Sequence, residues 1–224
     1  MRCGVTTAGA SLALPGTRRQ ARGLSVRASA APAAPDAQAK PLRVSMVSLG
    51  CPKNTVDGEV LLGDLYRSGF EITDAHDEAD AIVVNTCGFV EDAKDESIET
   101  IIEAARMKSE GKVRKVVVTG CLAQRYSEEL AAQLPEADLV IGFEKYGGLS
   151  ASLRTILDAP PDIDMDDYRA RSRVQVGDAT VAFRPEWDRH RLTPRHTAYL
   201  RVAEGCSHAC TFCAIPGFSV CRPS

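Results

Sequence analysis

The sequence predicts an α/β fold built on a parallel sheet, and three observations carry that reading. Short apolar, β-rich runs alternate four times with segments of helical period. Successive runs lie about one βα unit apart. Three of the four end directly in a cysteine.

The regular part begins near residue 42. "RVSMVSLG", residues 43–50, is a strand closed by glycine. "TVDGEVLLGDLYRSG", residues 55–69, carries Val56, Val60, Leu61 and Leu65 at helical spacing, and Gly69 stands where a helix stops. "ADAIVVNT", residues 79–86, is a buried strand. Residues 92–111 form a helix with Ile98, Ile101, Ile102 and Ala105 on one face and Gly111 at its end. "VRKVVVTG", residues 113–120, is strand again. Residues 127–134 are helix with Ser127 as candidate N-cap. Strand 137–142 and helix 147–157 complete the series. Crossovers in such a sheet are right-handed, so all strand C-termini share one edge, and the outline is flavodoxin-like.

Cys51 follows the first strand, Cys87 the second and Cys121 the third, at intervals of 36 and 34 residues. Three thiols therefore reach the edge where open α/β sheets bind ligands. Gly50, Gly88 and Gly120 beside them allow close approach of a bulky group. Buried core cysteines, a zinc site and an iron–sulfur cluster are the three readings of such a trio. The shared register favours the cluster, since one buried cysteine is ordinary and three in register are not.

Composition sets the class. The 224 residues are 44% hydrophobic and 25% charged with a formal charge of −3, so bulk electrostatics give no sign of nucleic-acid binding. No run approaches the roughly 18 apolar residues of a membrane span. Residues 1–40 hold six basic residues against one acidic, a balance of +5 that leaves −8 for the rest. They are rich in Ala, Ser, Thr and Gly and lack a long apolar stretch. That is the composition of a transit peptide and disordered linker, with the chloroplast as expected destination and the mitochondrion as alternative. Without a secretory signal, the eight cysteines point to metal or redox chemistry rather than disulfides.

A linker follows at 158–195. It opens on Pro160 and Pro161, runs through an acidic stretch and contains a candidate hairpin, "RVQVGDATVAF", with Gly177 and Asp178 in its turn. Phe183 and Trp187 are expected to pack this linker against a domain. "AYLRVAEG", residues 198–205, reads as one more strand. It delivers Cys206, Cys210 and Cys213 in C-x-x-x-C-x-x-C spacing. Three thiolates at that spacing suit a cubane cluster with one iron left without a protein ligand. Cys221 completing a zinc site is the competing reading. His208, inside the loop, is a second candidate ligand but is read as a solvated loop histidine, and His76, His190 and His196 show no metal spacing and read as surface or interface residues.

The loop "CSHACTFC", with Phe212 before its last cysteine, resembles the signature of radical S-adenosylmethionine enzymes. Together with the upstream trio it resembles their methylthiotransferase branch, from about residue 42 to 218. The resemblance implies an N-terminal methylthiotransferase domain over 42–157. In it Cys51, Cys87 and Cys121 would hold an auxiliary four-iron, four-sulfur cluster. It also implies the first strand and cluster loop of a TIM-like barrel from 196, where Cys206, Cys210 and Cys213 would hold the cluster that binds and cleaves S-adenosyl-L-methionine. "SLGCPKNTVDGE", "VVNTCGFVEDAKDESIETI" and "LTPRHTAYL" resemble the branch that modifies an aspartate of small-subunit ribosomal protein uS12. The branch acting on transfer-RNA adenosine, and a non-catalytic iron–sulfur protein, are the alternatives. A reductant such as ferredoxin or flavodoxin is the implied electron donor. After "CAIPGF" the sequence departs from the family pattern, reading "SVCRPS", so a truncated, inactive form is expected.

Overall fold

A computed structural model describes residues 40–158, 173–178, 180–181, 188–206, 208, 210–215 and 220–221. The leader expected over 1–40, apart from Lys40, lies outside the described residues. So do the acidic stretch 159–172, Phe183, Trp187 and the side chain of Cys221.

The sheet is made of β1 (Arg43–Ser48), β2 (Glu71–Ile72), β3 (Ala81–Thr86), β4 (Lys115–Gly120), β5 (Leu139–Ile141) and β6 (Val174–Gln175), in the order β2-β1-β3-β4-β5-β6. All five pairings are parallel. The first five strands follow the 2-1-3-4-5 order of flavodoxin-like sheets. The helices are α1 (Pro52–Arg67), α2 (Glu91–Ser109), α3 (Cys121–Arg125), α4 (Ser127–Gln133) and α5 (Leu149–Asp158).

Side-chain alternation along the central strands splits the core in two. Val83 and Val117 join Leu61, Leu65, Leu149 and Leu153 of α1 and α5 on one face. Ile82, Val84, Val116 and Val118 join Ile101, Ala104 and Leu130 of α2 and α4 on the other. Every residue of β3 is buried, as a central strand covered on both faces requires. Burying each such Val, Ile or Leu contributes about 1.5–3 kcal/mol.

Several expectations are corrected. Helix α1 starts at Pro52, earlier than the apolar pattern indicates, because proline is favoured in a first turn where no N–H bond is lost. The buried face of α2 is Ser97, Ile101 and Ala104, and Ile102 is exposed. Ser127 is the first residue of α4 rather than its cap, and its side chain makes no capping bond. Residues 173–181 do not form a hairpin. Val174 and Gln175 add to β5 in parallel, while β7 (Thr180–Val181) pairs with β8 (Val220–Cys221). Residues 198–203 form no strand, residues 204–205 bend, and none of them pairs with a strand among the described residues. Gly69 and Gly111 end α1 and α2 as the sequence predicts.

Candidate metal centre at the carboxyl edge of the sheet

Strand register brings the first cysteine trio together. Thr86 is paired with Gly120, so Cys87 and Cys121 leave β3 and β4 at the same level. Ser48 of β1 is paired with Asn85, which places Cys51 at the mouth of the neighbouring strand. Cys87 and Cys121 are buried and Cys51 is exposed. The site is thus deep on two sides and open on the third.

The loops that carry the thiols are tightly braced. Asn54 Nδ2 donates to the carbonyls of Leu49 (2.8 Å), Thr86 (3.0 Å) and Asn85 (3.3 Å). Asn85 Nδ2 returns a bond to Asn54 O at 2.7 Å. Ser97 Oγ, on α2, accepts from the backbone N–H of Cys87 at 3.0 Å. Arg125 donates to Gly88 O at 2.8 Å. Gly50 has φ +87°, and a Cβ there would lie 2.8 Å from Cys87 Sγ. Gly120 has φ +97°, and a Cβ there would lie 2.6 Å from Thr86 N. Side chains larger than hydrogen are excluded at both points.

Burial pushes the Cys121 thiol up to about 12; Lys53 works against this, and Asp57, Cys87 and Cys51 reinforce it. A metal-ligating thiol must be deprotonated, so a nearby cation is what such a site needs. Lys53 provides it. Its ammonium pairs with Asp57 at 2.6 Å and lies 4.6 Å from the centroid of the Phe143 ring. Burial disfavours the charged form of Lys53, but Asp57, Glu204 and Cys121 more than offset this, and its pKa is raised.

Three cysteine thiols on neighbouring strand-end loops are the donor type that an iron–sulfur cluster takes. Among the described residues, no group of three His, Cys, Asp or Glu is arranged to hold a single metal ion.

The second trio sits on a loop. Cys206 and Cys213 are half-buried and Cys210 is exposed. Cys213 N–H donates to Cys210 O at 3.2 Å, and His208 N–H donates to Cys206 Sγ at 3.5 Å. His208 itself is exposed, as is Phe212. Ala214 and Ile215 turn back to pack on the core cluster that contains Cys121. Sequence reasoning named Lys53 and Asn54 only as part of the family pattern and overlooked the other residues that brace this edge, Asp57, Asn85 and Ser97. The short run "CPKN" beside a strand-end cysteine is the signal that marks Lys53 and Asn54.

An open parallel sheet with three thiols along its carboxyl edge defines the class. Residues 43–142 match the model of the family described as uncharacterized protein family UPF0004. Over a longer stretch the chain is RimO-like. It is 45% identical over 174 residues to "Ribosomal protein uS12 methylthiotransferase RimO" of Geobacter sulfurreducens, covering 78% of this chain and 37% of the relative. The proteins of the same name from Clostridioides difficile and Anaeromyxobacter sp. (strain K) are 41% and 47% identical, each over 78% of this chain and over 37% and 34% of their own length. The chain thus spans about a third of the length of the curated relatives it matches. Among the described residues, no helix is long and apolar enough to cross a membrane.

Proposed function

We propose that this chain carries the cluster-binding residues of a methylthiotransferase that modifies an aspartate of ribosomal protein uS12. The observation that carries this reading is the convergence of Cys51, Cys87 and Cys121 at one sheet edge in a chain similar to proteins of that name. In this reading those three hold an auxiliary four-iron, four-sulfur cluster. Cys206, Cys210 and Cys213 would hold a second, which would bind S-adenosyl-L-methionine. When bound, these groups supply radical chemistry and the sulfur and methyl to be transferred.

The protein's own part is to hold and shield. Asn54, Asn85 and Ser97 fix the loops, so that the thiols meet the cluster without rearrangement. Lys53, a partly exposed cation two residues from Cys51, offsets negative charge beside the thiols. Cys51, at the exposed side, leaves that face accessible to a reaction partner. A small reductant protein of the ferredoxin or flavodoxin kind fits as electron donor. The basic leader composition supports delivery to the chloroplast, with the mitochondrion as alternative.

The test is anaerobic reconstitution of the full chain with iron and sulfide, followed by iron analysis and electron paramagnetic resonance. The expected result is two clusters per chain, falling to one in Cys51→Ala/Cys87→Ala/Cys121→Ala and to one in Cys206→Ala/Cys210→Ala/Cys213→Ala. Unchanged iron in either triple variant would overturn that ligand set.

A further inference from the structure

Helix α1 is buried on nearly all sides, although an amphipathic surface helix buries only a stripe. Its outer side is covered by residues 188–205, the stretch that leads to Cys206. The hold between them is ionic. Arg201 pairs through its two terminal nitrogens with Asp57 of α1 and with Glu204. Lys53 closes the set, 2.6 Å from Asp57 and 3.8 Å from Glu204. Asp57 and Glu204 are each only 3% exposed. Leu200 and Val202, on either side of Arg201, are 85% and 81% exposed, so apolar packing does not hold this stretch.

A second clasp lies two residues along the helix. The fully buried carboxylate of Glu59 pairs with Arg189 and accepts from Leu192 N–H at 3.0 Å. The carbonyl of Glu59 accepts from His190 N–H at 2.9 Å, and Arg189 reaches on to Tyr199 O at 3.0 Å.

We propose that Arg201 is a positioning residue. Through Asp57, Glu204 and Lys53 it latches the segment bearing the second cysteine trio onto the helix that begins beside Cys51, and so fixes the spacing of the two cluster sites. This rests on the functional reading above for its consequence, but not for its geometry. Two buried carboxylates are matched by two partly exposed cations, so removing Arg201 leaves Asp57 and Glu204 buried with only Lys53 to offset them. The latch's members lie two to six residues from a cysteine on each side: Lys53 and Asp57 after Cys51, Glu204 and Arg201 before Cys206.

The test uses the full chain with Arg201→Met and, separately, Asp57→Asn; Lys112→Met, at an exposed ion pair with Glu110, is the control. Amide hydrogen exchange is followed first in iron-free protein. Exchange over 198–206 is expected to rise by about tenfold or more in both variants while β1 and β3 stay protected, with partial recovery in Arg201→Lys and no change in the control. In iron-loaded protein, iron content should hold while the magnetic interaction between the two reduced clusters weakens or broadens. Unchanged exchange over 198–206 in Arg201→Met overturns the proposal. Loss of protection throughout 43–142 in both variants also overturns it, since the network would then belong to the core. If wild-type protein fails to bind two clusters, the functional reading falls, and the exchange result alone decides the latch.

Discussion

Asn54 and Asn85 clasp each other across the mouths of β1 and β3, each side-chain amide donating to the other's backbone carbonyl, at 3.3 and 2.7 Å. Both residues are buried, and each stands close to a cysteine of the first trio: Asn54 three positions after Cys51, Asn85 two before Cys87. The clasp ties one thiol-bearing loop to the next without using the thiols. Asn54→Leu would withdraw a donor from three carbonyls and cost about 1–3 kcal/mol. Urea unfolding of iron-free protein should show that loss as a lower midpoint with an unchanged slope.

Ser97 makes the equivalent brace from the helix side. It is buried on α2 and accepts from the N–H of Cys87 while lying 2.7 Å from Ala93 O. Ser97→Ala would leave that N–H without its partner, a loss of about 1–3 kcal/mol. The same variant should exchange the Cys87 amide faster than wild type, with the amides of β4 unchanged.

Tyr146 is expected to contribute to the loss of stability at alkaline pH. Burial, and then the carboxylate of Asp57, push its phenol well above the ordinary tyrosine range. A group whose pKa is higher folded than unfolded holds its stabilising effect below the unfolded value, near 10, and loses it as pH climbs beyond. Wild-type stability should therefore fall above pH 10 more steeply than that of Tyr146→Phe. Parallel slopes for the two proteins would show that the phenol does not contribute.

Gly63 is where the covering segment comes closest to α1. A Cβ at that position would overlap the carbonyl group of Asp188. Gly63→Ala is therefore expected to lift residues 188–190 while improving the helix itself. The net cost should fall in the 1–3 kcal/mol range of overpacking. Faster exchange at His190, whose N–H bonds to Glu59 O, is the signature to look for.

The alternation that gave the fold was legible because it is local. Apolar periodicity in the segments now assigned to β1, β3, β4, α1 and α2 depends only on neighbours in the chain. The cysteine trio was legible for the same reason, since each thiol directly follows its own strand. What could not be read depends on distant partners. Asp57 and Glu59 look like the solvent side of an amphipathic helix; a segment 130 to 144 residues away buries them. The alternation of Leu200 and Val202 around Arg201 is real, but both apolar side chains face solvent and no strand pairs beside them among the described residues. Gly177 and Asp178 resemble a hairpin turn, yet the free edge of β5 takes up Val174 and Gln175 instead.

Because β1, β3 and β4 lie side by side, the three thiols meet only once those strands have paired. In the unfolded chain they are separated by 36 and 34 residues, and no shorter segment contains more than one of them. A ligand that needs all three can therefore be received only by a chain already folded as far as residue 121. On the proposed reading, iron offered before these strands pair would find isolated thiols, and the sheet order would place loading of that site after their pairing.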